Sequence, residues 1–102
     1  IYLYMNNQQQ QQVQIKIPDE ILKGVYANSM QISHTQEEFV IDYMNLYPPQ
    51  GIVNSRIIVS PGHLKRMISA LEENLKKYED QFGEIKVAQK PSGEQEMGFK
   101  AE

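Results

Sequence analysis

A β-branched run passes through Ser60-Pro61-Gly62-His63 into a long apolar stripe, and this junction, from Arg56 to Gly83, restricts the possible folds of the chain more than any other segment. Ile57, Ile58 and Val59 suit an extended, buried backbone, because branching at Cβ crowds a helix but packs well on a pleated surface. Ser60 fits an N-cap. Pro61 at the first helical position costs nothing, since its missing N–H would have no intrahelical partner there. Leu64, Met67, Ile68, Leu71, Leu75, Tyr78 and Phe82 then recur at steps of three and four, which places them on one helix face. Gly83 tolerates the left-handed backbone that commonly ends a helix. The stripe is read as core. Asn74 interrupts a clean coiled-coil seam, so whether part of the stripe meets a second copy of the helix stays open.

Upstream, Val13, Ile15 and Ile17 alternate with Gln14 and Lys16, a period-two strand ended by Pro18. Pro18 and Gly24 bracket a turn or a single helical turn. Between Val25 and Thr35, Tyr26, Met30 and Ile32 share one parity and Ser29, Gln31 and Ser33 the other, which predicts a half-buried strand. Asn28 is disfavoured in such a strand, and marks either a bulge or an amide that holds neighbouring backbone. His34-Thr35-Gln36-Glu37 is the expected reversal. In the next strand Phe39, Ile41 and Tyr43 lie on one face, with Val40, Met44 and Leu46 beside Asp42 on the other. Two apolar faces call for two covers, and one helix supplies only one. Tyr47-Pro48-Pro49-Gln50-Gly51 reads as a loop, with the last strand starting at Ile52 or Val53. The expected fold is α+β: an antiparallel four-stranded β-meander followed by one long C-terminal amphipathic helix.

The ordered unit is expected at residues 13–87. Residues 1–12, with glutamines at 8–12, form a polar lead expected to be disordered, and residues 88–102 a similar tail. Met5 reads as a translation start, with residues 1–4 as an upstream extension. A unit of this size buries only about 60% of its unfolded surface. The chain has no cysteine to staple it, which makes self-association the remaining common way to enlarge the core. No segment approaches the roughly 20 apolar residues of a membrane span, and the expected location is the cytoplasm.

Four stretches together resemble one small bacterial and archaeal family of roughly hundred-residue proteins, a domain of unknown function. They are Gly24-Val25-Tyr26-Ala27-Asn28, Glu38-Phe39-Val40-Ile41-Asp42, Ser60 to Arg66, and Asn74 to Gly83. The resemblance runs from about Ile15 to Ile85. It implies a prokaryotic cytoplasmic protein with one compact domain, and carries over no activity and no catalytic residue.

The chemistry of the side chains points away from catalysis. There are two histidines, His34 and His63. The first falls in a turn. The second falls in the first helical turn, where the helix dipole favours the neutral ring, and it either serves a hydrogen bond there or faces a ligand. Ser60 beside it lacks an orienting carboxylate, and its oxygen is expected to be occupied by capping. Adjacent acidic pairs such as Asp19-Glu20, Glu37-Glu38 and Glu72-Glu73 do not converge on a metal. Neither a cofactor nor a metal site is expected. On the helix, Glu72 to Lys76 and Glu73 to Lys77 are expected as exposed i,i+4 ion pairs.

Arg56, Ser60, His63, Lys65 and Arg66 form the candidate contact for a partner or an anion, at a helix N-terminus whose N–H groups suit phosphate. The acidic balance, net −3, opposes general polyanion binding, and the plainer reading of Arg56 pairs it with an acid such as Asp42 across the sheet. The leading expectation is therefore a non-enzymatic homodimeric interaction or scaffold module with a possible protein partner. The alternative is a nucleic-acid-associated regulator that uses the basic junction.

Overall fold

A computed structural model describes residues 2–6 and 12–88. Five strands and two helices follow in order: β1 Tyr2–Asn6, β2 Gln12–Lys16, α1 Asp19–Leu22, β3 Ser29–His34, β4 Phe39–Tyr47, β5 Gln50–Val59 and α2 Pro61–Phe82. They build two separate antiparallel sheets, β1-β2 and β3-β4-β5. The α+β class is as expected, but the four-stranded meander is not formed. β2, expected as its first strand, pairs instead with β1, Leu3 opposite Ile15 and Met5 opposite Val13. Tyr2 to Asn6 and Gln12, expected in the polar lead, thus lie in strands, while glutamines 8–11 and the tail from 89 lie outside the described residues.

α1 is the single turn that Pro18 and Gly24 were expected to bracket: the Gly24 N–H donates to the Ile21 carbonyl, with Gly24 at φ 75°. The following strand is shorter than its parity suggested, because Val25 to Asn28 precede β3 in irregular backbone. Asn28 explains the boundary. Its Nδ2 donates to the Leu46 carbonyl at 3.2 Å and its Oδ1 accepts from the Leu46 N–H at 2.9 Å. The amide thereby replaces the pair of bonds a strand backbone would have made. Thr35 shapes the next reversal, its hydroxyl accepting from the Glu37 and Glu38 N–H groups.

β4 lies at the centre of the larger sheet. Ile41 sits between Ile32 and Ile57, and Asp42 between Gln31 and Arg56. Met30, Ile32, Phe39, Ile41, Tyr43, Ile57 and Val59 accordingly share one face, and Val40, Asp42, Met44, Arg56 and Ile58 the other. Between Tyr43 and Met44 the register slips by one residue of β5, so that Val53 comes opposite Met44. Asn54 is the extra residue of this bulge, and the parity change keeps an apolar side chain beside Met44. β5 starts earlier than expected, at Gln50, since the turn uses only Pro48 and Pro49. Ile41, Met44 and Leu46 are the buried apolar residues of the described chain, joined by Asp42.

The largest departure from expectation is the helix. No residue of α2 is buried. Leu64 and Met67 are half-buried, but beyond them the stripe read as core stands open: Ile68, Leu71, Leu75, Tyr78 and Phe82 are all exposed. The strands pack on one another, β4 against β3 and β5, while α2 makes no extensive contact with either sheet. Beyond its first two turns the apolar face therefore has no cover from the described chain.

Candidate interaction surface

Ser60 caps α2 as its residue type suggested: its Oγ accepts from the His63 N–H at 3.2 Å, and the Leu64 N–H donates to the Ser60 carbonyl. The oxygen is thus committed to the cap. One turn on, the Arg66 guanidinium meets His63 Nδ1 at 3.0 Å. Arg66 has only protons to give, so in this contact Nδ1 is the acceptor. Ser60, His63 and Arg66 therefore form one linked, exposed turn, with Lys65 exposed beside it.

Arg56 does not join them as a free cation. Its Nε and Nη2 donate to Asp42 Oδ1 and Oδ2 at 2.7 and 2.9 Å, a two-pronged bond across β4 and β5. These hydrogen bonds hold the Asp42 carboxyl below its ordinary 3.8, against the upward pull of burial and with help from the guanidinium charge. The same contacts raise the Arg56 pKa. Of the five candidate contact residues, one is thus neutralised within the sheet, and the remaining basic surface rests on Lys65 and Arg66.

The outer face of the helix differs slightly from expectation. Glu73 reaches Lys77 at 3.4 Å as anticipated, but Lys76 turns forward to Asp80 at 3.0 Å instead of back to Glu72. Forward and backward partners are equally spaced, and such exposed pairs contribute about 0.5 kcal/mol or less. Asn74 does not interrupt the apolar seam. Its Nδ2 donates to the Ala70 carbonyl of its own helix at 3.1 Å. Leu64, Ile68, Leu71, Leu75, Tyr78 and Phe82 follow one another at steps of 4, 3, 4, 3 and 4, an unbroken heptad seam that Asn74 merely flanks. The Tyr78 and Phe82 rings touch, centroids 4.9 Å apart. A shallow depression lined by Glu72, Leu75, Lys76, Glu79 and Asp80 runs beside the seam. At the far end Gly83 takes φ 99° and ψ 167°, a positive φ outside the left-handed helical region, and Glu79 Oε2 accepts from the Ile85 N–H.

The residues that sequence reasoning missed are asparagines. Asn45 Nδ2 and Asn54 Nδ2 both donate to the Tyr26 carbonyl, at 2.9 and 2.6 Å, which with Asn28 stitches the irregular segment onto β4 and β5. Asn54 was discoverable only through the bulge, which strand alternation does not reveal. Among the described residues there is no metal-ligand cluster, and no helix is long and apolar enough to cross a membrane.

A family model described as protein of unknown function (DUF3467) matches residues 4–87. No curated protein and no solved structure matches the chain.

Proposed function

The chain belongs to DUF3467, a family of unknown function, and on that premise we propose that it is a small non-enzymatic interaction module that works as a homo-oligomer. One observation carries this reading. Three apolar side chains are buried in the described chain, while five consecutive seam residues of α2 remain exposed along one helix face; Ile52, Val53, Ile57 and Ile58, on alternating faces of β5, are exposed as well. Single exposed apolar residues are ordinary, but a contiguous patch of a few hundred Å² is the mark of an interaction site. The Ser60 oxygen serves as a helix cap and His63 Nδ1 is engaged by Arg66, which supports the non-enzymatic reading. A cysteine-free chain suits a reducing compartment, and the proposal places it in the cytoplasm.

Light scattering on the full chain at micromolar concentration tests the reading. A mass of twice 11.8 kDa or a higher multiple supports it, and a monomer mass overturns it. A pull-down from the native host, split into nuclease-treated and untreated halves, addresses further partners. The interaction-module reading expects a stoichiometric protein that survives nuclease. Partners that vanish on treatment would instead favour a nucleic-acid-associated regulator acting through Lys65 and Arg66, whose binding would weaken with salt.

A further inference from the structure

We infer that the partner of the α2 seam is the α2 of a second copy, packed antiparallel across a two-fold axis beside Leu71, Asn74 and Leu75. The inference rests on the homo-oligomer reading and specifies its surface. The spacing of the seam, 4-3-4-3-4, reads the same from either end. Reversing one helix against its copy therefore aligns Leu64 with Phe82, Ile68 with Tyr78 and Leu71 with Leu75, with no layer left over. Such self-complementarity is what a two-fold interface demands, since each residue's partner must find it in return.

The charges give the direction. α2 has no acid in its first turn and no base in its last. Lys65 and Arg66 lie near the N-terminus and Glu79 and Asp80 near the C-terminus, the reverse of what the helix dipole favours within one helix. Turned antiparallel, each basic end meets an acidic one. Lys65, Glu72 and Glu79 flank one side of the seam, so Lys65 of one copy faces Glu79 of the other. The depression beside Leu75, lined by Glu72, Glu79 and Asp80 against the single Lys76, is where that lysine arrives. Met67, Asn74 and Gln81 flank the opposite side, with Asn74 facing its own copy. The intramolecular pairs Lys76–Asp80 and Glu73–Lys77 fall on the outer face and are undisturbed. One contact opposes the arrangement: Glu72 faces Glu72 near the axis.

The area is sufficient. With Leu71 67% and Phe82 66% exposed and the other three about half, the five open seam residues offer on the order of 500 Å² per chain. The flanking side chains bring this toward the roughly 800 Å² per partner of a standard stable interface.

Cross-linking of the full-length chain tests the pairing, and the absence of native cysteine makes it clean. Lys65→Cys and Glu79→Cys proteins, one bearing an affinity tag, are mixed, equilibrated and oxidised. The expected product is a mixed disulfide dimer, with each variant alone giving at most a tenth as much. Leu71→Asp should raise the dimer dissociation constant about 100-fold or more while leaving circular dichroism intact, since Leu71 makes no part of the monomer core. Glu72→Gln should lower it about twofold. Wild-type protein that is monomeric at every concentration overturns both this inference and the homo-oligomer reading. A wild-type dimer that gives no mixed disulfide and resists Leu71→Asp overturns the helix pairing alone, and assigns the interface to the exposed β5 residues.

Discussion

Ile41 at the middle of β4 and Leu71 at the middle of α2 are both large aliphatic residues, yet 2% of the first and 67% of the second is open to solvent. Sequence pattern alone treats them alike, because each sits on a periodic apolar face. The difference lies in what surrounds them. Ile41 has Ile32 on one neighbouring strand and Ile57 on the other, and three strands drawn from 31 residues close around it. Leu71 sits on an element that makes no extensive contact with either sheet. Amphipathicity thus establishes that a face needs cover, and leaves the source of that cover undetermined.

The sharpest way to separate the two regions is truncation. Ile41→Ala should cost about 2–5 kcal/mol in denaturant unfolding, because the cavity cannot collapse between two flanking strands, and the cost should be equal at all protein concentrations. Leu71→Ala should leave the strand core intact and reveal its cost through the dimer, as a midpoint that depends on concentration. If both variants behaved identically, the contrast would be lost.

Asn28→Ala comes next, at about 1–3 kcal/mol, since it strands the Leu46 N–H and carbonyl in a half-buried place. Urea titration followed by β-sheet circular dichroism would read it, and a neutral result would mean that the amide is decorative. This position also shows what could be read in advance. An Asn in a strand context signalled an amide holding backbone, and it does. The residues it holds could not be named, because a contact 18 positions away leaves no local trace. Pro18, Gly24 and the Ser60 cap were legible for the opposite reason, as each acts within three or four residues. The fate of β2 was not, since pairing depends on which neighbour is offered, and the polar tract that follows β1 hides that strand. The candidate site divides the same way: the Asp42–Arg56 pair could be weighed from strand register, whereas the turn of Lys76 toward Asp80 was one of two equal choices.

A pH series sharpens the comparison from the sheet side. The Asp42 pKa is lowered in the folded chain, so the contribution of its pair with Arg56 is present above the ordinary value of 3.8 and is lost as pH falls below it toward the folded value. Asp42→Asn should remove that part of the acid slope, measured by thermal unfolding between pH 5 and pH 2 (about the range in which a carboxylate titrates). An unchanged slope would mean that other carboxylates set it. The smallest effect is expected on the outer face of α2, where Glu73→Gln breaks the exposed pair with Lys77 and should shift stability by about 0.5 kcal/mol or less. A larger loss would move the interface from the seam to that face.

Amide hydrogen exchange across a range of protein concentrations tests the central claim most directly, because it reads β4 and α2 in the same sample. The structure predicts that protection of Ile41 to Leu46 is high and independent of concentration, while protection of Ile68 to Phe82 is weak in dilute solution and climbs as the protein is concentrated. Helix amides as protected as β4 at every concentration would contradict it, and would mean that α2 is covered by its own chain.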